Sequence, residues 1–119
     1  MRIAIYFVTT ILANAALADP SVIEDATARA SGDTWTVSVT LSHPDTGWDH
    51  YADGWNISTA QGEVLGNRTL VHPHVNEQPF TRSLSGVTIP DDVETLIVRA
   101  RCNVDGWAGE PFELAIKRP

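Results

Sequence analysis

The sequence predicts an all-β fold, a single Ig-like antiparallel β-sandwich of about seven strands. Three observations point there. Apolar and polar residues alternate along several short runs, which is the period of a strand with one buried face. Turn-forming clusters of Gly, Pro, Asp and Asn separate those runs at regular intervals. No stretch sustains the period of an amphipathic helix.

Residues 1–18 stand outside the pattern. Arg2 is a short positive region, Ile3 to Leu12 is an apolar run, and Ala16-Leu17-Ala18 has the small-x-small form of a cleavage site. This reads as a signal peptide, removed after Ala18, ahead of one β-sandwich domain over residues 19–119. The expected location is periplasmic or secreted. The apolar run is too short and wrongly flanked for a membrane span, and none follows it, so no membrane insertion of the mature chain is expected.

In the domain, "SVIEDATARA" reads as a weakly patterned edge strand that ends in a turn at Ser31-Gly32-Asp33. "TWTVSVTLS" alternates cleanly, with Trp35, Val37, Val39 and Leu41 on one face and Thr36, Ser38 and Thr40 on the other. "HYADGWNIS" puts Tyr51, Asp53, Trp55 and Ile57 on one parity, and Trp55 is the candidate core tryptophan. "GEVLGNRTLVH" follows a turn at Ala60-Gln61-Gly62, and "PFTRSLSGVTIP" runs to Pro90. "VETLIVRARC" sets Leu96, Val98, Ala100 and Cys102 against Ile97, Arg99 and Arg101. "GEPFELAI" is the last strand.

Charge restricts the partners. Without the leader, seven basic side chains face fifteen acidic ones, a net charge of −8 with neutral histidines. Nucleic acid and anionic membrane surfaces are therefore disfavoured. A small anion also meets an unfavourable average field unless a local patch overrides it. The sequence names no protein partner. One cysteine allows no internal disulfide, so the domain relies on its core. The thiol is then buried, a ligand, or paired between molecules.

The candidate chemistry lies in the histidines and that thiol. His43, His50, His72 and His74 all fall between residues 43 and 74. Neutral imidazole is the commonest ligand of borderline metals. His72 and His74 share a side of an extended chain and form one candidate pair, against the alternative of loop histidines bonded to backbone. His43 and His50 flank the "PDTGWD" loop, which can fold both rings toward one point or leave them as polar loop residues. Cys102 shares parity with the apolar face, as a small buried residue or as a thiolate ligand ending its strand. Asp105, three residues on, is a further donor.

Taken in order, "VIE", "HPDTGWDHYADGWNI", "TLVHPHVNEQPF" and "CNVDGW" resemble the catalytic domain of superoxide reductases, the iron domain of desulfoferrodoxin and neelaredoxin. The resemblance covers roughly Ser21 to Trp107. It implies an Ig-like sandwich, which agrees with the strand pattern, and ferrous iron held by four histidines and an axial cysteine thiolate. His43 and His50 match two of those histidines, and Cys102 matches the thiolate. The last family histidine falls on Asp105, and the first falls near Asp19. The lysine that draws in superoxide has no counterpart, because the matching region here is the leader. Copper and zinc also suit a His/Cys donor set.

The expected function is thus an exported domain binding iron, copper or zinc. A first site comprises His43, His50, Cys102 and Asp105, and a second comprises His72 and His74. The alternatives are a non-catalytic binding or structural module without metal, and an active oxidoreductase. Hydrolase, NTPase and dithiol roles have no supporting motif.

Overall fold

The computed structural model describes residues 4–5 and 19–119. The expected leader lies outside the described residues apart from Ala4 and Ile5. Seven strands follow: β1 (Val22–Ser31), β2 (Thr34–Ser42), β3 (Ala52–Thr59), β4 (Val64–Thr69), β5 (Phe80–Val87), β6 (Thr95–Cys102) and β7 (Phe112–Ala115). They form two sheets, β1-β2-β5 and β4-β3-β6-β7, and every pairing is antiparallel. The described residues include no helix.

The alternation in β2 becomes burial. Val37 and Val39 are fully buried, with Trp35 and Leu41 beside them, and in β6 Leu96, Val98, Ala100 and Cys102 all face inward. Trp55 and Ile57 of β3 join the same hydrophobic cluster, so both sheets share one core. Each such side chain contributes about 1.5–3 kcal/mol by leaving water. On the outer face of β2, Thr36, Ser38 and Thr40 meet Ser85, Ser83 and Thr81 of β5, with hydroxyl contacts of 3.3, 2.7 and 2.6 Å. Those cross-strand pairs help set the β2–β5 register.

The β1–β2 turn occupies Gly32-Asp33, with Ser31 paired to Thr34. Gly32 has φ +63°, which the first position of a two-residue hairpin turn requires. β1 is an edge strand, as its weak pattern predicts.

Parity fails at the start of β3. The expected face of Tyr51, Asp53, Trp55 and Ile57 is broken by a register shift between Ala52 and Gly54. An extra residue there turns fully buried Ala52 onto the same side as Trp55, leaving Tyr51 and Asp53 half-buried. β5 also stops at Val87 rather than Pro90; Gly86 beside it has φ +71°.

The ladder fixes where the loops meet. Ala52 pairs with Cys102, so β3 begins where β6 ends. Leu41, next to the end of β2, pairs with Phe80 at the start of β5. The loop from 43 to 51, the loop from 70 to 79 and the turn after Cys102 therefore converge at one pole of the molecule.

Candidate metal centre

Three strand ends supply this pole. His43 follows β2, His50 precedes β3 and Cys102 closes β6, so the three-stranded sheet contributes one imidazole and the four-stranded sheet the rest. One ligand atom from each of the three lies within 4.8 Å of the others. Asp105 stands beside them: its Oδ2 is 3.7 Å from Cys102 Sγ and 4.0 Å from His50 Nε2. Sγ itself is 3.7 Å from His50 Nε2. The two imidazole rings meet edge to face, with centroids 4.6 Å apart.

Each position has a local cause. After Cys102 the chain makes a tight turn, in which Cys102 and Gly106 exchange backbone hydrogen bonds of 3.0 and 2.9 Å. Gly106 at φ +67° lets the turn close. Closure aims the Asp105 N–H at Cys102 Sγ, 3.2 Å away.

His50 is held by Asn103. The Asn103 side chain accepts the Tyr51 N–H at 2.9 Å and donates to the carbonyls of Trp48 and Asp49 at 3.1 and 3.3 Å. A residue adjacent to the thiol thereby fastens the loop that carries His50. Within that loop His50 bridges back to Gly47, at φ +143°.

His43 is oriented by Asp45. The two side chains are fully buried, and His43 Nδ1 contacts Asp45 Oδ1 at 2.5 Å. The same carboxylate accepts the Ala52 N–H at 2.9 Å and the His74 N–H at 2.7 Å. With Nδ1–H donating to a carboxylate, Nε2 carries the free lone pair. That Nε2 is buried and has no hydrogen-bond partner. An imidazole held by a carboxylate on one nitrogen and open on the other is the usual arrangement of a metal-ligating histidine.

The spacing can be tested against coordination. Nitrogen at ~2.05 Å and sulfur at ~2.3 Å from one tetrahedral ion lie ~3.6 Å apart, and two N/O donors lie ~3.4 Å apart. The thiol's 3.7 Å contacts with His50 and Asp105 match that separation. The 4.0 Å between His50 and Asp105 needs a closure of a few tenths of an ångström. Two imidazoles, a thiolate and a carboxylate suit a borderline transition metal and disfavour Mg²⁺ or Ca²⁺, which take oxygen.

His72 and His74 have different surroundings. Their rings are near, with centroids 4.5 Å apart, but His74 Nε2 faces the Arg82 guanidinium at 2.9 Å. That cation takes the lone pair a metal needs and repels a second positive charge. His74 also stacks on Phe80 at 3.9 Å, and its pKa is lowered by burial and then by Arg82 and His72. His72 is exposed, with Nδ1 donating to the Pro73 carbonyl. In the loop this pair packs and hydrogen-bonds, with the His74 N–H donating to Asp45, while the buried His74 Nδ1 has no hydrogen-bond partner.

Sequence reasoning missed Asp45 and Asn103. Asp45 sits in a Pro-Asp-Thr-Gly stretch that carries a turn signal, and only its full burial separates it from an ordinary turn aspartate. Asn103 acts on groups more than fifty residues away in the chain.

No protein-family model matches the chain, and no solved structure matches it. It is 36% identical over 94 residues to a protein of Halomicrobium mukohataei named "Putative lipoprotein". The match takes in 79% of this chain but 46% of that protein, so the chain spans about half the length of this relative.

Proposed function

We propose that this chain is an exported metal-binding domain, in which His43, His50, Cys102 and Asp105 hold one borderline transition-metal ion. The observation that carries the reading is the convergence of His43, His50 and Cys102 ligand atoms within 4.8 Å, at a place where His43 Nε2 is buried without a partner. An orphaned buried nitrogen costs about 1–3 kcal/mol, and a bound ion removes that cost. Asp45 and Asn103 support the donors from outside. Export is supported by the leader motif and by the name of the relative. The two sheets around a common core fit an Ig-like sandwich.

Iron is the first metal to try, on the superoxide reductase resemblance. Copper and zinc follow from the donor chemistry. Where that family has four histidines, this set has two, with a carboxylate at Asp105. The added negative charge stabilises an oxidised metal ion and repels an anionic substrate at close range. We therefore assign metal binding as the function and superoxide reduction to the family rather than to this chain.

The test is elemental analysis of the protein purified from the envelope of its own host. Near-stoichiometric iron, copper or zinc is expected, with loss of that metal in Cys102→Ala. A metal-free protein that also refuses all three metals in vitro would establish the other reading, a β-sandwich module whose loop is closed by Asn103 and Cys102 for structure alone.

A further inference from the structure

Asp19 lies at the edge of the centre. Its backbone nitrogen is 3.4 Å from Asp105 Oδ2, the oxygen that contacts both Cys102 and His50. Two nitrogen or oxygen donors on one ion at ~2.1 Å lie ~3.0–3.5 Å apart. The Asp19 N–H donates to that oxygen, so its nitrogen is within reach of one proposed donor, at a separation that two donors on one ion can also have.

The segment carrying it is fastened. Ser21 is 2% exposed, and its hydroxyl donates to the Arg101 carbonyl at 3.3 Å, one residue before the thiol. Its carbonyl packs so closely on Gly109 that a Cβ there would sit 2.7 Å from the oxygen. The chain is therefore held on both sides just after Asp19.

The chemical state of that nitrogen depends on processing. In the chain with its leader it is an amide, whose lone pair is delocalised into the carbonyl. Removal of residues 1–18 turns the same atom into a primary amine, which can donate a lone pair. We propose that the α-amine of Asp19, released by removal of the leader, is a further ligand of the ion. It joins His43, His50, Cys102 and Asp105. This rests on the metal reading above and adds a consequence to it: the full donor set exists only in the processed protein, so tight loading follows export. No bond other than the Ala18–Asp19 peptide is broken, and water supplies the hydrolysis.

Three forms of the protein test this: the chain beginning at Asp19, the same chain with its α-amine acetylated, and a chain with one glycine added before Asp19. The added residue displaces the amine by up to ~3.8 Å, well beyond the ~0.2 Å tolerance of a coordination bond. Each is titrated anaerobically with Co²⁺ and followed by its visible ligand-field bands and thiolate charge-transfer absorption. Losing an outer-shell partner alone costs about 10–100-fold in affinity, so losing a direct donor should cost about ten-fold or more. The chain beginning at Asp19 is expected to bind one Co²⁺ at least that much more tightly than both other forms, with shifted ligand-field bands. Equal affinity and identical spectra in all three would overturn the amine as a ligand and leave the metal reading standing. No binding by any form would overturn both. Urea midpoints of the three apo forms are expected to agree, which separates a lost donor from a lost fold.

Discussion

Replacing Asp45 by asparagine isolates the orienting carboxylate from the metal donors. The side chain accepts hydrogen bonds from the His43 ring, the Ala52 N–H and the His74 N–H, and it is fully buried. Asparagine keeps the shape but removes the charge and places an NH₂ where one oxygen accepted a proton. In the cheaper orientation the NH₂ faces the His74 N–H, so one bond at 2.7 Å is lost and two donors oppose each other. A hydrogen bond to a charged group contributes about 1.5–3 kcal/mol, and an unsatisfied buried donor costs about 1–3 kcal/mol. These overlap, so a loss of about 2–4 kcal/mol is expected, out of the 5–15 kcal/mol usual for a domain. The variant should still fold. Urea denaturation of the apo protein measures this part. Its zinc affinity, measured against a competing chelator, should fall by about 10–100-fold, because a neutral amide oxygen replaces the carboxylate behind the His43 ring. Unchanged affinity in a folded, destabilised variant would show that His43 is not a ligand. Unchanged stability would show that the three bonds do not have the strength assigned to them.

Asn103→Ala should cost about 1–2 kcal/mol and accelerate hydrogen exchange at the Tyr51 amide, whose acceptor it removes, while zinc affinity falls as the His50 loop loosens. Leu96→Ala, at a fully buried β6 position, should cost about 2–5 kcal/mol in urea denaturation and leave affinity per folded molecule unchanged. His74 makes stability depend on pH: burial, Arg82 and His72 lower its folded pKa, so the unfolded chain takes up a proton first on acidification. Its contribution is complete above the ordinary histidine range and is lost as pH falls through that range to the lowered folded value. Urea midpoints measured from pH 8 downward should show that decline, and His74→Gln should flatten it.

How much of this was legible in the sequence differs by residue. Val37, Val39, Leu96 and Val98 were legible because a strand's period of two converts directly into burial. Cys102 was legible as inward-facing for the same reason. Tyr51 and Asp53 were misplaced because a single extra residue between Ala52 and Gly54 reverses parity, and a bulge carries no local pattern. The grouping of His43 and His50 with Cys102 came from resemblance, since no spacing rule brings residues 43, 50 and 102 together. The Ala52–Cys102 register brings His50 to Cys102, and packing of the other sheet, with Asp45 bonded to both His43 and Ala52, brings in His43. Asp45 and Asn103 were invisible for a related reason. Both are turn-type residues whose partners are backbone groups of other segments, and side chain to backbone bonds of that kind leave no periodicity. The His72–His74 spacing was visible, but Arg82, which takes the His74 nitrogen, comes into position only when β5 folds beside the loop.

X-ray absorption of the zinc-loaded protein beginning at Asp19 tests the central claim most directly, because it counts sulfur and nitrogen around the ion itself. One sulfur at ~2.3 Å is expected, with nitrogen and oxygen neighbours at ~2.0–2.2 Å and the outer-shell scattering of two imidazoles. A first shell of nitrogen and oxygen alone, or a shell unchanged by Cys102→Ala, would contradict the assignment of His43, His50 and Cys102 to one metal ion.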